Sequence, residues 1–199
     1  IVRLARSEKA DLVYTIGSDL AMPTVAEVSA QLGLPAFIPS GTAGLLQNKL
    51  RLRGFLAEHN ISPVKFKAVR GQNDLDDWTH FPAIVKPVDN QGQRGVFLAN
   101  DMEAARAGLE KSLTQSRSKT LIIEEFLDGP EVSANTFISN GQTIFNEISD
   151  RLVVEGYAGG IPKGHIYPAK ACTGELLAET KALVERCNRA LAILNGPVY

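Results

Sequence analysis

A lysine in the middle of an apolar strand constrains this chain more than any other feature. The run Phe81-Pro82-Ala83-Ile84-Val85-Lys86-Pro87 is otherwise apolar, and an ammonium is costly to bury unless an anion meets it. Lys86 therefore asks for a negative partner, with a phosphate as the natural candidate. A second run, Leu121-Ile122-Ile123-Glu124-Glu125-Phe126-Leu127, carries two adjacent carboxylates in an equally apolar setting. Successive side chains of a strand point to opposite faces, so one of Glu124 and Glu125 faces a polar cleft.

Composition narrows the partners. With 199 residues, 44% of them hydrophobic, the chain can bury a full core as one domain or two small ones. Its net charge is −1, from 21 basic and 22 acidic residues, and no basic block or basic-aromatic stripe points to nucleic acid. No apolar run reaches the roughly 18 residues of a membrane span, and no leader-like segment opens the chain, so the expected location is the cytoplasm. Cys172 and Cys187 form neither a CxxC nor a metal-ligand spacing and read as unpaired thiols of a reducing compartment.

Along the chain, Ile1 to Lys9 reads as a helical remnant, Leu12 to Ile16 as a strand, Pro23 to Gly33 as a helix and Pro35 to Ile38 as a short strand: a βαβ fragment. A helix is expected from about Gln47 to His59, with Asn60 at its end. Val64 to Val69 alternates as a half-exposed strand, whereas Ala83 to Val85 is continuously apolar. Asp101 caps a helix that aligns Met102, Ala105, Leu109 and Leu113. Strands follow at Leu121 to Leu127, Val132 to Ile138, Thr143 to Ile148 and Leu152 to Val154, with a hairpin turn at Asn140-Gly141. Thr173 opens a last helix that runs to Asn195-Gly196-Pro197 and makes Cys187 a core residue.

Between the two unusual strands lies Val88-Asp89-Asn90-Gln91-Gly92-Gln93-Arg94-Gly95-Val96. Its glycines let backbone amides approach an anion, and Arg94 can add a charged fork. No GxxxxGK[ST] occurs, nor a GxGxxG after the first strand, so two common nucleotide folds fit poorly.

The order of Lys49 in a helix-opening Asn-Lys, Lys86 in Ala-Ile-Val-Lys-Pro, the loop Gln91-Gly92-Gln93-Arg94-Gly95-Val96 and the run Ile122 to Ser133 resembles the ATP-grasp family of ligases, in particular its carbamoyl-phosphate-synthase-like and amino-acid-ligase-like members. The resemblance covers nearly the whole chain. It implies an α+β / α/β architecture: an ATP-grasp fold of two α+β lobes clamping ATP, preceded by the end of a Rossmann-like domain. Residues 1–40 would be that end and 45–199 the ATP-grasp domain, with a smaller lobe at about 62–127 and the larger lobe in the remainder.

Carried to these positions, the resemblance implies that Lys49 and Lys86 contact phosphates, while Gln91, Gly92, Arg94 and Gly95 close over them. Glu124 would accept from the adenine amino group, and the backbone of Glu125 and Leu127 would meet the ring edge. Phe126 would sit at the hinge and Glu131 would accept from the ribose hydroxyls. Arg94 and His165 are the catalytic candidates, His165 lying in the glycine-rich stretch Tyr157 to Pro168 that would border the acceptor. The residues alone leave plainer roles open: a solvated helix lysine for Lys49, a structural ion pair for Lys86, a polar turn for Asp89 and Arg94, a surface strand residue for Glu131 and a solvated histidine for His165.

The implied cofactors are ATP and Mg2+, and the implied partners are a small-molecule carboxylate and an amine or similar nucleophile. The implied chemistry is an acyl phosphate captured by the amine. Activation of bicarbonate and a non-catalytic nucleotide-binding module are the alternatives, and a homodimer stays open. The family's magnesium carboxylates follow a stretch like Leu194 to Tyr199, so no metal ligand is expected before Tyr199; the chain reads as a fragment with sheet missing at both ends, inactive by itself.

Overall fold

A computed structural model describes residues 1–154, 156 and 160–199. The chain divides into two compact units, residues 48–131 with 151–166, and residues 1–47 with 132–150 and 167–199.

The unit that carries the unusual strands is built on an antiparallel sheet. Its strands are β1 (Phe66–Val69), β2 (Ala83–Pro87), β3 (Phe97–Ala99) and β4 (Leu121–Glu125), in the order β1-β4-β2-β3. The register places Ile84 opposite Glu124 and Lys86 opposite Ile122, and Ala68 also faces Ile122. Pleating therefore sorts the side chains into two sets. Val69, Ala83, Val85, Leu121 and Ile123 line one face and pack with Leu75, Trp78, Ala99, Ala105 and Leu109 into a core. Ile84, Lys86, Ile122 and Glu124 share the other face.

The helix that closes the core side runs Met102–Gln115, and Asp101 caps it by accepting a hydrogen bond from the Ala104 N–H at 2.8 Å. Ala105 and Leu109 are fully buried, with Met102 and Leu113 packed at the edge, as the helical spacing requires. A shorter helix, Lys49–Glu58, opens on Asn48, whose side chain accepts from the Arg51 N–H. It buries no residue completely; Leu50, Leu52, Phe55 and Leu56 are half-buried. Asn60, just beyond it, adopts φ +53, the left-handed conformation that asparagine tolerates at a helix end.

In the other unit, Val132–Ser139 (β5) pairs with residues 142–150 of the strand Gln142–Val154 (β6) through an Asn140-Gly141 turn with φ values of +51 and +75. Two left-handed residues make the turn whose twist matches the strands. Gly196–Val198 (β8) pairs with the far edge of β5, while Ile161–Ile166 (β7), which belongs to the first unit together with residues 151–154, neighbours β6 in the strand order β7-β6-β5-β8. Helices span Val2–Ser7, Met22–Leu32, Ser40–Leu46 and Gly174–Ala190.

Several expectations are corrected. Residues 12–16 and 35–38 form no strand; Leu12, Tyr14 and Ile16 are exposed, and no described strand pairs with them. Strand-like composition does not make a strand without a ladder. Residues 143–148 and 152–154 belong to one continuous strand, β6, and residues 161–166 of the glycine-rich stretch form β7. The last helix stops at Ala190, and Thr173 precedes it without a side-chain cap bond. Cys187 is half-buried rather than core, and burial raises its thiol pKa.

Candidate functional site

The sheet face opposite the core is where the chemistry gathers. Lys86 on β2 and Glu124 on β4 lie diagonally across the two strands, and the Lys86 ammonium donates to Glu124 Oε2 at 2.8 Å. Arg53, from the helix Lys49–Glu58, donates from Nε to Glu124 Oε1 at 3.0 Å and from Nη2 to Oε2 at 3.2 Å, and from Nη1 to Ser62 Oγ at 3.2 Å. The Glu124 side chain is only 6% exposed, against 22% for Lys86 and 26% for Arg53. Burial pushes its pKa up, but the Arg53 hydrogen bonds and the Lys86 charge outweigh burial and hold it below the ordinary glutamate value.

Lys49 joins the group from the first turn of the same helix. Its ammonium donates to the Asn90 carbonyl at 2.5 Å, and its backbone N–H donates to the Val88 carbonyl at 3.0 Å. Burial and then the positive charge of Lys86 lower its pKa, with Asp89 and Glu124 pulling the other way. Two ammonium groups that feel each other's charge in a partly buried place are what an anion would stabilise.

The β2–β3 connection is anchored at its root and open at its tip. Asp89 accepts from Ser116 Oγ and the Ser118 N–H, while Arg117 donates to its carbonyl. Desolvation raises the Asp89 pKa, yet the hydrogen bonds that its carboxylate accepts from Ser118 and Ser116 leave it lowered overall. Asn90 Nδ2 donates to the Gln115 carbonyl, and Ser112 Oγ to that of Gly95. Gly95, at φ +78, is required by packing, since a Cβ there would lie 2.9 Å from Pro87 Cγ and 3.0 Å from Gln115 Cβ. Gly92, at φ +67, has nothing within 4 Å of such an atom. Gln91, Gly92 and Arg94 are exposed, and Arg94 donates to the Gln91 carbonyl at 3.4 Å.

Glu125 points away from Lys86. Its carboxylate accepts from the Lys65 N–H at 2.9 Å, its own N–H donates to the Lys65 carbonyl, and the Phe126 N–H donates to the Pro82 carbonyl. Phe126 and Leu127 are exposed. Glu131 is paired with Arg151, which also donates to the Gly160 carbonyl at 2.7 Å. His165 is an exposed residue of β7, and Tyr157, Ala158 and Gly159 of the stretch that was to border the acceptor lie outside the described residues.

The sequence reading missed Arg53, the cation that completes the Glu124 site. The signal available was its place four residues after Lys49, on the same helical face. Among the described residues no three His, Cys, Asp or Glu side chains gather where they could hold a metal ion, so these residues do not by themselves fit a magnesium site.

The family model described as an ATP-grasp domain matches residues 79–199. This chain belongs to the ATP-grasp family. As an ATP-grasp chain it is 28% identical over 128 residues to the ATP-grasp enzyme fsqD of Aspergillus fumigatus, covering 60% of this chain and 22% of that protein. It is 25% identical over 111 residues to dapdiamide A synthase of Enterobacter agglomerans, covering 51% and 26%. Among solved structures, the L-amino acid ligase of Bacillus licheniformis superposes with a TM-score of 0.71 at 26% identity, covering 98% of this chain and 46% of that one. The biotin carboxylase of Campylobacter jejuni superposes at 0.78 with 13% identity, a likeness of fold alone. The chain thus spans about a quarter of the two curated relatives and just under half of the ligase structure. No described helix is long and apolar enough to cross a membrane.

Proposed function

We propose that this chain supplies the nucleotide site of an ATP-dependent ligase that joins a carboxylate to an amine. One observation carries the reading: Lys86, Lys49 and the open loop tip converge beside a buried carboxylate that orients Lys86. Solvated lysines would need no such carboxylate, and a purely structural ion pair would not require the second ammonium of Lys49 close enough to lower its own charge stability.

In this reading Lys49 and Lys86 bind the polyphosphate and the exposed segment Gln91 to Arg94 closes over it, with Gly92 leaving room for close backbone approach. Glu124 serves chiefly to hold Lys86, so the adenine contacts fall to the backbone from Glu125 to Leu127. Glu131 accepts from the ribose hydroxyls, and His165 belongs to the acceptor side.

The reaction class is acyl activation. A carboxylate oxygen attacks the γ-phosphorus, the bond to the β-bridging oxygen breaks, and ADP leaves as an acyl phosphate forms. The amine nitrogen then attacks the acyl carbon, inorganic phosphate departs, and the nitrogen loses a proton. The protein's part is positioning and charge stabilisation. Calorimetric titration of ATP with magnesium into the protein and into Lys86→Ala tests the reading, with binding expected only in the former. Equal binding by both would remove Lys86 from the site, and a screen of amino acids for ADP release would then test the ligase chemistry separately.

A further inference from the structure

Glu124 carries one negative charge and touches two cations, of which only Lys86 lies on the strand assigned to phosphate. We infer that Arg53 is a positioning residue for phosphate binding: its guanidinium takes both oxygens of Glu124, so that this carboxylate aims Lys86 without neutralising it. The inference rests on the nucleotide reading above and adds a residue to it.

The geometry separates the tasks of the two cations. Arg53 meets Glu124 through a fork, Nε to Oε1 and Nη2 to Oε2, and its remaining nitrogen donates to Ser62 Oγ, which fixes the guanidinium plane. Lys86 reaches only Oε2, and an ammonium has three donors, so the other two can turn to an anion. Without Arg53, a single carboxylate would face a single ammonium as a closed pair, and a phosphate would have to compete with Glu124 for it. With Arg53 in place, three cations stand against Glu124 and Asp89, which leaves a positive field where Lys49 and Lys86 converge.

The fork matters as well as the charge. A lysine at position 53 would supply a point charge on a flexible stem rather than two parallel hydrogen bonds. Arg53 also lies one helical turn beyond Lys49, so a single helix presents one cation to the loop and another to the carboxylate that aims Lys86.

The test is titration of ATP, and separately of adenosine, into the protein and its Arg53→Met, Arg53→Lys, Lys86→Ala and Arg53→Met/Glu124→Gln variants. Arg53→Met is expected to weaken ATP binding about tenfold, the scale of one charge-assisted contact, while adenosine binding stays within about twofold. The double variant, which removes the competing carboxylate charge, is expected to regain ATP affinity to within about threefold of the unsubstituted protein, and Arg53→Lys to fall between. Equal losses for ATP and adenosine would mean that Arg53 only supports the fold, and unchanged ATP affinity would mean that it does not act on Lys86; either overturns the inference. Should Arg53→Met fail to fold, Arg53→Lys carries the same ATP-to-adenosine comparison. ATP affinity that survives Lys86→Ala would remove the nucleotide reading and this inference together, whereas loss in Lys86→Ala with none at Arg53 removes the inference alone.

Discussion

Lys86 and Glu124 meet at 2.8 Å across two antiparallel strands, each two residues out of register with the other, on the sheet face opposite the core. The pair is stable because Arg53 adds a second cation to a carboxylate that is almost fully buried. Glu124→Ala would leave Lys86 and Arg53 facing each other with no anion, and breaking a buried pair in this way costs about 3 kcal/mol. Glu124→Gln keeps an acceptor and should cost roughly half as much. Urea unfolding of the two variants checks the order, and a smaller loss in the alanine variant would contradict it.

The acid limb of stability should carry the Glu124 signature. Its native pKa is lowered by Arg53 and Lys86 despite burial, so the native state holds this proton less tightly than the unfolded chain. The contribution is therefore complete above the ordinary value of 4.5 and is lost as pH falls below it through the lowered native value. Unfolding free energy measured from pH 6 down to pH 3 should fall more steeply in the unsubstituted protein than in Glu124→Gln. Parallel slopes would refute the assignment.

The contrast between Lys86 and Arg53 shows what could be read in advance. Lys86 and Glu124 stand out because each interrupts an apolar run, and a buried charge demands a partner whatever the fold. The core helix was equally legible, since Asp101, Ala105 and Leu109 combine a cap with helical spacing. Arg53 sits in a helix with no fully buried residue, where a charged side chain looks solvated until tertiary structure brings Glu124 to it. The strand read at 12–16 failed for a related reason: pairing is non-local, and composition cannot supply the partner. Strands β3 and β8 have three residues each, too few for any periodicity to register.

Lys49 should set an alkaline limit on nucleotide binding. Burial and the Lys86 charge lower its pKa below the ordinary 10.5, so it loses its proton earlier than an exposed lysine as pH rises. Polyphosphate favours the protonated form, and ATP affinity should decline through that lowered value. Lys49→Arg, which keeps its charge, should move the decline to higher pH. Titrations between pH 7 and 10 check this, and a profile unchanged by the substitution would exclude Lys49 as its source.

Glu131 offers a test of the sugar contact. It is half-exposed and already paired with Arg151, so a ribose would share its carboxylate. Unsubstituted protein should bind ATP more tightly than 2′-deoxy-ATP, by about tenfold for a charged hydrogen bond. Glu131→Gln should reduce that preference to about threefold or less while barely changing 2′-deoxy-ATP binding. A preference that survives the substitution would assign the hydroxyl contact elsewhere.

The two loop glycines should separate stability from binding. Both need positive φ, which costs an alanine about 1 kcal/mol, but their surroundings differ. At Gly95 a Cβ would also press on Pro87 and Gln115, so Gly95→Ala should destabilise by about 2 to 3 kcal/mol in all. At Gly92 there is open space, and Gly92→Ala should cost only the backbone term. If the tip of the loop closes over phosphate, the smaller stability loss at Gly92 should accompany the larger loss of ATP affinity relative to adenosine, because a methyl group there stands where the polyphosphate would approach the amides. Thermal unfolding and nucleotide titration on the same two variants decide it: ATP affinity falling in proportion to stability at both positions would mean that the loop serves the fold and not the ligand.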